Sequence, residues 1–127
     1  MVSFEAFRTV DGAPVYLQII NFIKRGAIAG TIRDGDELPS RRVLSALLGI
    51  NPNTVQKAFH ILEEEHMMES RTGAKSCMTL PPDILDALRR EVLSDELRTM
   101  ARTLRQLGIS KEEALRLIEQ AWAEEAQ

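Results

Sequence analysis

Three groups of side chains in this sequence could do chemistry on a polar partner. Asn53, Gln56, Lys57 and His60 recur at three- and four-residue spacing, which gathers them on one face wherever the segment is helical. Asn and Gln pair bidentately with adenine, and Lys reaches guanine or a phosphate. Arg41 and Arg42 stand side by side where a helix is expected to begin. Positive side chains there oppose the helix dipole and gain nothing locally, so contact with phosphate explains their position better. Arg71 and Lys75 flank Thr72-Gly73-Ala74, two cations around a glycine turn, as suits a hairpin lying along a minor groove or a sugar-phosphate backbone. Each group also has a plainer reading. The first is then an ordinary solvated face, the second is solvated or paired to acids such as Asp36 and Glu37, and the third is a common basic hairpin tip.

The elements that must position these groups are legible in periodicity and punctuation. After a loose leader, Ala13-Pro14 opens a segment with Val15, Ile19, Ile20, Phe22, Ile23 and Ala27 at amphipathic helical spacing, and Gly30 ends it. Arg33-Asp34-Gly35-Asp36 is turn chemistry, and Glu37-Leu38-Pro39 is a short extended piece, because a residue before proline is pushed out of the helical region. Ser40 caps a second helix with Val43, Leu44, Leu47 and Leu48 as its inward face, closed by Gly49. A third helix starts at once, with Asn51 as N-cap, Pro52 at the first helical position, and Val55, Ala58, Phe59 and Leu62 inward. Residues 67–71 and 76–80 then read as two strands joined through Thr72-Gly73-Ala74-Lys75. Helix, extended piece, helix, Gly-containing turn, helix, hairpin is the order of a winged helix-turn-helix. The third helix, about 52–65, is its reading helix.

Composition excludes several classes. At 127 residues and 44% hydrophobic, the chain holds one compact domain and a short appendage, which leaves no room for a full-sized enzyme beside the first domain. No apolar run approaches the roughly 20 residues of a membrane span, and the start has no signal-like segment, so a cytoplasmic protein with no membrane partner is expected. The one cysteine, Cys77, reads as buried filler, with a redox-sensing thiol as the sharper alternative. No Cys/His cluster has metal-ligand spacing, and no metal or cofactor is expected. Neither His60 nor His66 is linked by any motif to Cys77 or an acid, so catalysis is not expected. The formal charge of -3 means that any affinity for nucleic acid must come from locally clustered cations.

With those motifs in hand, the stretches Pro14-Val15-Tyr16-Leu17-Gln18-Ile19, 35–44 (GDELPSRRVL) and 48–58 (LGINPNTVQKA) resemble the DNA-binding domain of the GntR family, over about residues 13–80. The short helical tail further resembles the YtrA-type subfamily, whose members are dimeric repressors often encoded beside ABC-transporter genes. The resemblance implies DNA contacts from Arg41 and Arg42, from Asn53, Thr54 and Lys57 on the reading helix, and from Gly73 at the wing tip, with Ser40 starting the second helix. Together with Gln56, Arg71 and Lys75 from the residue chemistry, these form the expected DNA-binding set. The wing departs from the family pattern at Lys75, Ser76 and Cys77. His66 stands where the family carries a glycine, which opens the end of the reading helix to a shift.

Past Pro81-Pro82, Leu85, Leu88, Val92, Leu97, Met100, Ala101, Leu104 and Leu107 follow helical spacing up to Gly108. Ser110 and Glu113 then form a capping box for a last helix carrying Ala114, Leu115, Leu117, Ile118, Ala121 and Trp122. The expected architecture is therefore mainly α: a winged helix-turn-helix of three helices and a β-hairpin wing (residues 1–80), then a two-helix dimerisation hairpin (residues 81–127). Leu97, Met100, Leu104, Leu115, Ile118 and Trp122 are its expected dimer contacts. Trp122 could instead wall a ligand pocket. Arg98, Arg102 and Arg105 read as a solvated cationic stripe with acid partners such as Asp95, or alternatively as a contact to flanking DNA. The expected partners are double-stranded DNA with a palindromic operator and a second copy of the chain. A small-molecule effector, if one exists, would bind at the dimer interface or between the two parts, and the residues do not name it. The competing function is a winged-helix protein-interaction module without specific DNA binding, for which the acidic run Glu63-Glu64-Glu65 would be suited.

Overall fold

Pro14 fixes the start of helix α1 (Val15–Ala29), and Gly30, at φ +86°, ends it in the left-handed conformation that an L side chain resists. The structure is a computed structural model that describes residues 1–71 and 75–126. From α1 the chain turns through residues 30–36 into β1 (Glu37–Leu38), then α2 (Arg41–Leu48), α3 (Pro52–Glu64), β2 (Met68–Arg71), β3 (Lys75–Met78), α4 (Pro82–Gln106) and α5 (Lys111–Glu125). The strands form one antiparallel sheet in the order β1-β3-β2, with Leu38 opposite Ser76 and Ser70 opposite Ser76 from the other side. Two compact units divide the chain, Met1–Arg89 and Arg90–Gln127. Helix α4 starts at the Pro81-Pro82 break, and the division falls within it.

The core of the first unit is built around α3. Its inward residues Val55, Ala58, Phe59 and Leu62 are fully buried, against α1 residues Ile19 and Ile23 and α2 residue Leu44, all at 0% exposure. Each large side chain among them contributes roughly 1.5–3 kcal/mol of transfer free energy. Gly49 (φ +66°) makes the tight turn between α2 and α3, and the buried Ser45 hydroxyl donates to the Ile50 carbonyl across it. Cys77 is buried in β3, as a filler would be. Among the described residues no helix is long and apolar enough to cross a membrane, and no group of three His, Cys, Asp or Glu is placed to hold a metal ion.

Two expectations need correction. The leader is not loose. Val2, Phe4 and Phe7 are buried, with the Phe4 and Phe7 rings 5.2 and 5.4 Å from that of Phe22 on α1. The Val2 amide donates to the Glu37 carbonyl on the outer edge of β1 (2.8 Å). Gln18 ties the same segment down, its amide bonding both the N–H and the carbonyl of Val10 and the carbonyl of Ala13. The second correction concerns α2. Of its expected inward face Leu44 is fully buried and Leu48 half-buried, whereas Val43 and Leu47 are 48% and 69% exposed. Of the two large apolar i, i+4 pairs in this eight-residue helix, Leu44–Leu48 is turned inward and Val43–Leu47 outward. The Val43–Leu47 ridge borders the leader and lines an open apolar cleft of about 580 Å³ with it.

The reading helix does not shift its end to accommodate His66. His66 itself takes φ +62°, and the His66 and Met67 amides bond back to the Glu63 and Leu62 carbonyls, a Schellman closure with histidine in glycine's usual place. In the second unit the Gly108 and Ile109 amides close α4 in the same way on Arg105 and Leu104. Ser110 then caps α5 by accepting from the Glu113 amide (3.2 Å).

Two measurements check these points. Replacing Phe4 with Ala is expected to destabilise the protein by about 3 kcal/mol in urea denaturation, as for any core phenylalanine; a loss under about 0.5 kcal/mol restores the loose leader. Replacing His66 with Gly removes a left-handed L residue and is expected to add about 1 kcal/mol to stability. No gain in midpoint would show that the His66 conformation is unstrained.

Candidate nucleic-acid interface

The interface is assembled from the ends of two helices and the root of a hairpin. In α3 the Asn51 side chain accepts from the Asn53 amide (2.8 Å), and Pro52 takes the first helical position, where no N–H is needed. Because Val55, Ala58, Phe59 and Leu62 are locked inward, Asn53, Gln56, Lys57 and His60 are held outward and exposed, with Thr54 half-buried beside them. These side chains offer amide donors and acceptors and a cation along one exposed strip, the complement of base edges and phosphates in a major groove.

Lys57 is not a loose cation. Its ammonium lies 4.1 Å from the centre of the Tyr16 ring, at the start of α1. A cation over a tyrosine face at this range is attracted by about 0.5–1 kcal/mol when exposed, enough to bias the side chain toward one side of the strip. His60, by contrast, has Nε2 at 2.7 Å from the Glu64 carboxylate one turn along.

Helix α2 brings the second group. The Ser40 hydroxyl accepts from the Val43 amide (3.1 Å) and starts the helix as expected, which places Arg41 and Arg42 in its exposed first turn. Asp36 and Glu37, the acid partners of the plainer reading, make no ion pair with them among the described residues. Asp36 instead accepts from the Arg33 amide (2.8 Å), and Arg41 meets Glu63 of α3 at 3.4 Å. Arg42 makes no hydrogen bond or ion pair among the described residues. On the hairpin, Lys75 is exposed and pairs in register with Arg71. The expected wing-tip residue Gly73, with Thr72 and Ala74, and the side chain of Arg71 lie outside the described residues.

Sequence reasoning missed Tyr16, Glu63 and Ser70. Tyr16 reads only as part of a helix face, and nothing in spacing links it to Lys57. Glu63 reads as one of three acids in a run, whereas the structure pairs each of them internally: Glu63 with Arg41, Glu64 with His60, and Glu65 with Lys24 at 2.9 Å. Ser70 donates to the same Glu63 oxygen (2.7 Å), joining the hairpin to both helices. The run is therefore occupied by neighbours in the fold.

In the second unit, Leu97, Met100, Leu104, Leu115 and Ile118 line one apolar trough of about 770 Å³, and Trp122 lines a second of about 520 Å³ with Met100 and Ile118. None of the α5 residues is buried, and Trp122 is 78% exposed. Arg98 lies 3.8 Å from Asp95, the acid partner expected for the cationic stripe.

Known proteins share this architecture. The model of the gntR family of bacterial regulatory proteins matches residues 15–75. The chain is 30% identical over 102 residues to the uncharacterised HTH-type transcriptional regulator YhcF of Bacillus subtilis, covering 80% of this chain and 84% of that one. It is 43% identical over 63 residues to the HTH-type transcriptional repressor YtrA of the same organism, covering 50% of this chain and 48% of that one. A GntR family transcriptional regulator from Listeria monocytogenes superposes with a TM-score of 0.80 at 28% identity, over 88% of this chain and 98% of that one. The likeness to YtrA supports placement in the YtrA-type subfamily. The winged order of elements, the outward polar strip of α3 and the matches along most of the chain lead to one conclusion: this protein belongs to the GntR family of DNA-binding transcriptional regulators.

Proposed function

We propose that this protein is a cytoplasmic, dimeric transcriptional repressor that binds a palindromic operator through α3, with residues 1–80 reading DNA and residues 81–127 pairing two copies. The observation that carries the reading is the outward strip Asn53, Gln56, Lys57 on a helix whose other side is wholly buried, flanked by Arg42 with no partner within the described chain. Base contacts from the strip set sequence, and arginine contacts to phosphate set position and affinity. The internal pairing of Glu63, Glu64 and Glu65 supports this reading over a protein-interaction module, and the relatives are named as transcriptional regulators. Repression has the support of YtrA, which is named a repressor. Control of an ABC-transporter operon rests on the subfamily resemblance alone.

The dimer reading rests on unburied apolar surface. Both troughs of the second unit are lined by residues that a lone chain leaves in water, and a second copy is the partner that closed symmetry supplies. Two such copies would set reading helices about 34 Å apart, one turn of duplex.

The deciding experiment is footprinting on the DNA upstream of the protein's own gene, with affinity followed against salt. Wild-type protein is expected to protect a palindrome and to weaken as salt rises; Arg42→Glu is expected to bind at least about tenfold more weakly with a shallower salt slope and an unchanged melting temperature. Equal affinity for every sequence at modest salt, or an unaffected Arg42→Glu variant, overturns the reading. For the tail, Leu115 is 57% exposed in the single chain, so Leu115→Glu is expected to keep the protomer folded. It is expected to sediment as a monomer where wild type sediments as a dimer, and a monomeric wild type at micromolar concentration rules the dimer out.

A further inference from the structure

The stretch Pro14-Val15-Tyr16-Leu17-Gln18-Ile19 is the one motif that the DNA-binding reading leaves without a role. Most of it is accounted for by the fold. Pro14 starts α1, Ile19 is core, and Gln18 clamps the leader through Val10 and Ala13. Tyr16 is different. It sits half-buried in the first turn of α1, and its hydroxyl makes no hydrogen bond among the described residues. Its ring face, however, carries the Lys57 ammonium at 4.1 Å from the centre.

That ring marks one flank of α3. Successive residues of an α-helix lie about 100° apart around its axis. With Val55, Ala58, Phe59 and Leu62 inward, Gln56 and Lys57 fall on opposite sides of the outward strip, with Asn53 and His60 between them. Lys57 shares its side with the half-buried Thr54 and Ile61, and Gln56 shares its side with the half-buried Glu63. Contacts identify what each side faces. On the Lys57 side it is α1, through Tyr16; on the Gln56 side it is α2 and the hairpin, through Arg41 and Ser70 on Glu63. Cations therefore stand on both flanks of the strip.

The two flanks hold their cations differently. Arg41 lies against a carboxylate, whereas Lys57 has no ion pair among the described residues. A carboxylate must release its cation before a phosphate can take it over. An aromatic face attracts an ammonium without neutralising it, and covers one side only, which leaves N–H donors on the other for a new acceptor. A helix in a major groove has a phosphate backbone along each side and base edges along the floor. A lysine drawn to the flank is placed at a wall rather than at the floor.

We propose that Tyr16 is a positioning residue for DNA binding: its ring holds Lys57 at the α1 flank of α3, where the ammonium takes a phosphate on the strand across the groove from the one met by Arg42. The inference rests on the DNA-binding reading and narrows it. Asn53 and Gln56 are left to read bases, while Lys57 joins the arginines in setting position. Gripped from both walls, α3 has its depth and tilt in the groove fixed without any base being read.

The test uses the full chain against the DNA upstream of its own gene and a mixed-sequence duplex, with affinity followed against salt. Lys57→Met is expected to weaken both duplexes by the same factor and to reduce the salt slope by about 1. Tyr16→Leu is expected to weaken both roughly two- to fivefold, the worth of an exposed cation–π contact. Tyr16→Phe keeps the ring face and is expected to bind as wild type does. In the Lys57→Met background, Tyr16→Leu is expected to cost nothing further. An undiminished loss in that background, or a Tyr16→Phe variant as weak as Tyr16→Leu, overturns the positioning role. Phosphate ethylation interference then locates the contact: within one half-site, Lys57→Met is expected to lose a signal on one strand and Arg42→Ala on the other. Both losses on the same strand, or a Lys57→Met defect confined to the protein's own upstream DNA, overturn the inference while DNA binding stands. Failure of wild type to bind either duplex overturns both.

Discussion

The complete burial of one side of α3 is the constraint on which the rest of the molecule depends. Val55, Ala58, Phe59 and Leu62 have no solvent exposure, and their partners come from α1 and α2. Rotating the helix by even one residue would drive Gln56 or Lys57 into that core, at the cost of an unpaired polar group. The outward direction of Asn53, Gln56 and Lys57 is therefore fixed by the packing of the opposite face. The short turn at Gly49, the Asn51 cap and Pro52 define where this helix starts, and hydrophobic contact defines which way it faces.

A second layer of organisation is electrostatic. A chain of net charge -3 that meets a polyanion must keep its acids away from the contact surface or neutralise them. Two of the acids at the end of α3 are paired with cations, Glu63 with Arg41 on α2 and Glu65 with Lys24 on α1, and Glu64 lies against His60 on α3 itself. These pairs are partly exposed, so their worth to stability is small. Their effect is on orientation. Arg41 is drawn toward α3 by Glu63, Lys57 is drawn over Tyr16, and Arg42 has no ion pair among the described residues.

How much of this was legible in the sequence follows the range of the interactions. Helix limits set by local chemistry were readable: Ser40 capping α2, Gly49 closing it, Asn51 and Pro52 opening α3, and Ser110 opening α5. So was the inward face of α3, because four apolar residues share its period. The leader was not readable. Val2, Phe4 and Phe7 follow no sustained period, and what orders them is Phe22 and the edge of β1, both distant in sequence. Val43 and Leu47 misled because their spacing matches Leu44 and Leu48 but a short helix has a core neighbour on only one flank. The links Tyr16 to Lys57, Glu63 to Arg41 and Ser70 to Ser76 carry no periodic signal, since each joins separate elements through tertiary packing or strand register.

The uncovered apolar flank of α5 has a further consequence for how such a molecule would respond to its own abundance. If operator binding needs two chains whose tails cover one another, the concentration of competent species rises with the square of chain concentration below the dimer dissociation constant. Occupancy would then climb more steeply than for a protein that binds alone, and a modest change in expression would produce a disproportionate change in promoter silence. Leu115 and Trp122, exposed in the single chain, would in that case set the sharpness of the switch.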